Sequence, residues 1–138
     1  MKYLLDASSL MLLIKKTDVE STVEFLQDSF ILNLTFYEVG NAIWKESTLL
    51  KFLTPQEAKR LGTMAQIVLA KIDQVINEGE DFQKILEIAQ DEKLSFYDSA
   101  YIFFAKQKGL PLVTEDKQLE MKAKKHITVQ TLATMLLK

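Results

Sequence analysis

At 138 residues, with 48% hydrophobic and 26% charged side chains, the chain has the size and composition of one soluble globular domain. It has no cysteine, which excludes disulfides and thiolate chemistry, and a single histidine, His126, which argues against clustered imidazole ligands and a Ser-His triad. A net charge of −2 excludes a generic polycationic nucleic-acid binder, and no apolar run approaches the ~20 residues that span a bilayer.

The N-terminal stretch has one early lysine and an apolar run interrupted at Asp6, so a signal peptide is not expected and the cytoplasm is the expected location. Residues 2–6 read as a short buried strand and 8–16 as the helix after it. A second helix is expected over 19–28, a second strand over 30–34 and a third helix over 35–50. Thr54-Pro55-Gln56-Glu57 combines an N-cap, a proline at the first helical position and a capping-box glutamate; this fourth helix is expected to run to about residue 76. Two more helices follow over 82–91 and 96–108, the latter closed by Gly109. Residues 110–114 read as a strand, 117–125 as a helix and 127–130 as a fourth strand, before a terminal helix. Short apolar strands alternating with helices predict an α/β fold whose parallel sheet is covered on both faces. Ligands of such sheets sit beyond the carboxyl ends of the strands, where Asp6, Glu38, Thr114 and Asp116 fall.

Asp98 lies inside SFYDSAYIFFA, residues 95–105, on a helix apolar around almost its whole circumference. A carboxylate there needs compensation, because an unpaired buried charge is costly or neutralises itself. Asp6, which ends a buried strand, poses the same problem. Glu38 and Asp98 each stand three residues after a Thr or Ser, so capping of a helix N-terminus competes with a functional role; Asp116 fits an N-cap equally well. Oxygen-only ligands with no His or Cys point to a hard cation, Mg²⁺ or Mn²⁺, and carboxylates around such ions suit phosphodiester hydrolysis. Neither GxxxxGK[ST] nor GxGxxG occurs, so nucleoside triphosphates are not implied.

Four segments together resemble the ordered motifs of PIN domains, most closely the VapC-type toxin ribonucleases: Leu4-Leu-Asp-Ala-Ser8, Tyr37-Glu-Val-Gly-Asn-Ala42, Tyr97-Asp-Ser-Ala-Tyr101 and Val113-Thr-Glu-Asp116. The likeness spans essentially the whole chain. It implies a three-layer α/β/α domain with a short parallel sheet of about four to five strands. Asp6, Glu38, Asp98 and Asp116 would be its acidic quartet around one or two Mg²⁺ or Mn²⁺ ions, with Ser8, Asn41 and Thr114 in support. It further implies metal-dependent cleavage of single-stranded RNA, an antitoxin partner whose tail covers the acids, and a homodimer. Lys45, Lys117 and Lys122 are the candidates for phosphate contact. Met11, Leu12 and Leu13, with Trp44, are divided between core and a partner surface. Glu115 departs from the family pattern, where many relatives carry a basic residue; it is expected to face solvent, with added charge at the metal pocket as the alternative.

Two other readings set against this one are a non-catalytic module that keeps the fold without turnover, and a housekeeping RNA-processing nuclease. A dehalogenase-like or receiver-like phosphoacceptor with Asp6 as nucleophile fits less well, because Asp6-Ala-Ser8 lacks the second aspartate of the phosphatase motif.

Overall fold

A computed structural model describes residues 2–136, without the side chain of residue 136. Five short parallel strands form one sheet in the order β3-β2-β1-β4-β5: β1 (Leu4–Leu5), β2 (Phe30–Leu32), β3 (Asp73–Val75), β4 (Leu112–Val113) and β5 (Val129–Gln130). The helices are α1 (Ala7–Lys16), α2 (Val19–Phe25), α3 (Asn33–Trp44), α4 (Pro55–Leu69), α5 (Phe82–Glu92), α6 (Phe96–Lys108), α7 (Lys117–Ala123) and α8 (Leu132–Leu136).

Alternation along each strand divides the core. Leu5, Ile31 and Val113 face one way and pack with Leu10, Leu13 and Ile14 of α1, Val39 of α3, Leu61 and Val68 of α4, and Leu132 of α8. Leu4, Leu32, Leu112 and Val75 face the other way, onto Ile85 of α5, Tyr101, Ile102 and Phe104 of α6, and Leu119 of α7. The result is the expected three-layer α/β/α sandwich.

Several boundaries differ from the sequence expectation. The fourth helix stops at Leu69 rather than near residue 76, and Asp73–Val75 is an edge strand paired in register with Phe30–Leu32. Of its three residues only Val75 is buried, so the stretch carries little strand signal. The third helix begins at Asn33, because the Thr35 hydroxyl accepts the Leu32 N–H at 3.2 Å and closes the turn directly behind β2. That helix then loosens into a π-helical turn, Lys45–Leu49, with the Leu50 N–H bonded to the Lys45 carbonyl at 2.9 Å. The second helix ends at Phe25, and the last strand is trimmed to Val129–Gln130.

The Thr54–Glu57 capping box forms as expected, each partner accepting the other's backbone N–H at 3.1 and 3.0 Å. Gly109 closes α6 with φ 65°, its N–H reaching the Ala105 and Lys106 carbonyls. A Cβ there would meet open space, so the cost of a side chain is the left-handed backbone alone. Gly109→Ala is expected to lower stability by about 1 kcal/mol without disturbing packing, a loss that urea unfolding measures.

Candidate active site

The carboxyl ends of β1 and β4 meet at Asp6 and Thr114, and the acids gather there. Asp6 follows β1 directly and is the N-cap of α1. Its Oδ1 accepts the Ser9 N–H at 2.9 Å and the Ser8 hydroxyl at 2.8 Å, and its Oδ2 accepts the Thr114 hydroxyl at 2.5 Å. Ser8 Oγ also accepts the Glu115 N–H and Thr114 Oγ1 the Asp116 N–H, both at 3.0 Å, and the two hydroxyls lie 3.4 Å apart. Each donates its single proton to Asp6, at distances shorter than the contact between them. The turn after β4 thus orients two donors onto the buried acid. Burial raises the Asp6 carboxyl above its ordinary range, and these hydrogen bonds partly offset that rise.

Glu38 is served by a second directional relay. The Leu32 N–H fills Thr35 Oγ1, Thr35 donates to Tyr101 Oη at 2.6 Å, and Tyr101 donates to Glu38 Oε1 at 2.6 Å. Tyr101 is only 1% exposed. Burial first, and then the Glu38 charge, push its phenol far above the ordinary range, so it acts as a fixed donor. The Glu38 carboxyl is itself raised by burial and by the charges of Asp6 and Asp98, against the opposing Tyr101 hydrogen bond. Tyr101 and Thr35 are positions supporting Glu38 that reading the acids alone misses. The available signal was spacing: Tyr101 is three residues after Asp98 on α6, and Thr35 three before Glu38 on α3, so each pair shares a helix face. Tyr101→Phe is expected to cost about 1–2 kcal/mol, because it orphans the buried Thr35 hydroxyl; chemical denaturation checks it.

Asp98 lies in the first turn of α6. The helix is capped by Ser95 Oγ, which accepts the backbone N–H of Asp98 at 3.1 Å, so the carboxylate is not what closes the helix. Burial raises the Asp98 carboxyl, and so do the charges of Asp116 and Asp6, against a smaller opposing effect of a hydrogen bond with the Ser95 side chain. Asp116 does serve as an N-cap: its Oδ1 accepts the Gln118 and Leu119 N–H groups at 2.9 and 3.0 Å. The capping explanation therefore holds in part at Asp116 and does not account for Glu38, which lies well inside α3.

The charges of Asp6 and Asp98 add to the rise at Glu38, those of Asp116 and Asp6 add to the rise at Asp98, and none of the four acids forms an ion pair among the described residues. No three of them close into a ready-made metal cage among the described residues. The fit to a hard divalent cation lies in the oxygen-only donors and the uncompensated charge.

The supporting residues divide. Ser8 and Thr114 hold Asp6 directly, while Asn41 is exposed one helical turn beyond Glu38. Lys45 and Lys117 are exposed, Lys117 directly after Asp116. Lys122 is engaged elsewhere: its Nζ donates to the Lys93 carbonyl at 3.3 Å, closing the end of α5. Glu115 does not simply face solvent and does not add charge to the acids. It is half-buried, and its Oε1 accepts the Leu132 N–H at 2.6 Å, fastening α8 to the Thr114–Asp116 turn. Met11 and Leu13 are core residues at 6% and 1% exposure, whereas Trp44 is 49% exposed.

A parallel sheet with carboxylates at the ends of its central strands defines an α/β acid-site domain, and the chain belongs to the PIN-domain family: the family's model, PIN domain, matches residues 3–125. The chain is 35% identical over 135 residues to exonuclease VapC9 from Pyrobaculum aerophilum, covering 98% of this chain and 96% of that protein. Among solved structures, PAE2754 from Pyrobaculum aerophilum superposes with a TM-score of 0.80 at 30% identity, covering 99% of this chain and 93% of the other. FitAcB from Neisseria gonorrhoeae shares the fold at a TM-score of 0.58 and 18% identity, covering 94% and 96%.

Proposed function

We propose that the chain is a metal-dependent ribonuclease of the VapC type, the toxin of a toxin–antitoxin pair, acting on single-stranded RNA. The observation that carries this reading is the quartet Asp6, Glu38, Asp98 and Asp116, mutually repelling and without cationic partners among the described residues. The likeness to a protein named VapC9 supports it. A bound Mg²⁺ or Mn²⁺ would neutralise the scissile phosphate and acidify the attacking water. Asp6, locked by Ser8, Ser9 and Thr114, would be the fixed ligand, Glu38 is aimed by Tyr101, and Asp98 and Asp116 complete the anionic rim. Any proton released in the attack would pass to a carboxylate whose proton affinity is already raised, Glu38 or Asp98. Lys45 and Lys117, both exposed, would meet flanking phosphates.

An antitoxin segment would lie in the groove between α3 and α4, a space of about 530 Å³ walled by Phe36, Val39, Gly40, Ile43 and Gly62. Exposed Trp44, Leu49, Leu50 and Phe52 extend that apolar surface, which also suits a homodimer contact. No helix among the described residues is long and apolar enough to cross a membrane.

The test is incubation of a mixed single-stranded RNA pool with Mn²⁺, with and without chelator, using RNAs labelled at either end. The sequence resemblance leads to internal cutting, whereas the relative's name is that of an exonuclease. Internal fragments from both labels support an endonuclease, and stepwise loss from one end supports an exonuclease. Metal-independent cutting, or none, overturns the proposal.

A further inference from the structure

The acids occupy the ends of β1 and β4, but the same edge of the sheet continues past β2 and β3. Asn33 directly follows β2 and Asn77 lies two residues beyond β3. Together with Leu34, Phe96, Tyr97 and Ala100 they line a cavity of about 170 Å³, room for one planar ring system. Tyr97 is 60% exposed, although it is a large aromatic in the first turn of a helix that buries Ala100, Tyr101, Ile102 and Phe104. Tyr97 directly precedes Asp98 in the chain, and the cavity lies past the carboxyl ends of β2 and β3, along the strand-end crevice in which ligands of parallel sheets lie. Asn77 Oδ1 already accepts the Gly79 N–H at 2.7 Å, which leaves its amide hydrogens to donate outward.

We propose that this cavity is a nucleobase subsite, with Tyr97 as its stacking wall and the Asn33 and Asn77 amides addressing the edge of the base. The inference rests on the ribonuclease reading and deepens it. The chain has a net charge of −2 and concentrates four acids at its site, so attraction to phosphates is a weak source of RNA affinity. Stacking on an exposed aromatic face needs no positive charge and suits single-stranded RNA, whose bases are free to splay out. Two amides with donors and acceptors at the rim give the cavity a means of discriminating among bases.

The test is fluorescence anisotropy with a short 5′-labelled single-stranded RNA and the same sugar–phosphate chain lacking bases. The protein carries Asp6→Asn to prevent cutting, and the titration is repeated with otherwise unmutated protein under chelator, so that misfolding of the Asp6 variant does not decide the result. Adding Tyr97→Ala is expected to weaken RNA binding about ten-fold, with Tyr97→Phe retaining affinity. On the abasic chain Tyr97→Ala is expected to cause no further loss, since side chain and base form one interaction. An unchanged melting temperature for Tyr97→Ala serves as the control for folding.

RNA binding unaffected by Tyr97→Ala, an equal loss on the abasic chain, or no RNA binding at all would each overturn the subsite. Cleavage by the wild-type protein in Mn²⁺ is scored separately. Cutting without Tyr97-dependent binding removes the subsite alone, and Tyr97-dependent binding without cutting removes the nuclease alone.

Discussion

Asp98→Asn is expected to remove metal-dependent RNA cleavage, by at least about 10²-fold, while leaving the protein as stable as the wild type or more so. The two halves of that result have separate causes. The α6 cap uses the backbone N–H of Asp98 and the Ser95 hydroxyl, so an amide side chain leaves the helix start intact. The charge of Asp98 is meanwhile opposed by burial, by Asp116 and by Asp6, so neutralising it relieves repulsion in the metal-free protein. A residue retained for packing would show the opposite pattern, with stability lost and activity following it. RNA cleavage and thermal melting of the same preparation decide between them; cleavage retained by a folded variant would exclude Asp98 from the chemistry.

The second large effect is thermal. Saturating Mn²⁺ is expected to raise the melting temperature near neutral pH by roughly 10 °C, corresponding to about 2.7 kcal/mol at a hundred-fold excess over Kd. Without metal, stability should rise as pH falls from neutral toward the ordinary carboxylate range. Asp6, Glu38 and Asp98 all have folded-state proton affinities raised above their ordinary values of 3.8, 4.5 and 3.8, with burial as the main cause. Between the unfolded and folded values the native state binds more protons than the unfolded state, so its stability declines as pH rises through that window. Asp18, Glu57 and Glu92 act in the opposite sense: hydrogen bonds lower them, so their contribution is present above their ordinary range and is lost only in stronger acid. The metal-induced increment should accordingly be larger at pH 7.5 than at pH 5.5. Differential scanning calorimetry at both pH values, with and without Mn²⁺, measures all four states. An increment that is absent, or larger at the lower pH, would argue against the acids as the ligands.

Much of the fold was legible because its elements are locally punctuated. Thr54-Pro55 starts α4, Ser95 starts α6 and Gly109 ends it, each through a contact with near neighbours. The edge strand β3 was not legible: Asp73 and Gln74 are exposed, and the pairing with Phe30 and Ile31 that makes them a strand is a tertiary event. At the site, the acids could be read from charges placed in apolar surroundings. Ser8 and Thr114 were expected as supports through the family resemblance, and both bond Asp6, Thr114 across 108 positions; the Tyr101–Glu38 contact, across 63 positions, was not read, because no local pattern encodes it. Glu115 was misjudged for the same reason: its partner, the Leu132 N–H, lies 17 residues on and becomes adjacent only when β5 pairs with β4.

That long reach has a consequence for how the protein is made. The hydroxyl that completes the Asp6 clamp lies 108 positions downstream, so at ordinary synthesis rates it leaves the ribosome about 5–20 s after Asp6 itself. The turn bearing it is fastened in addition by the Leu132 N–H, 17 residues beyond Glu115. A nascent chain therefore has no complete Asp6 clamp until that later segment has emerged. An enzyme of the proposed kind would be disarmed by topology alone until then.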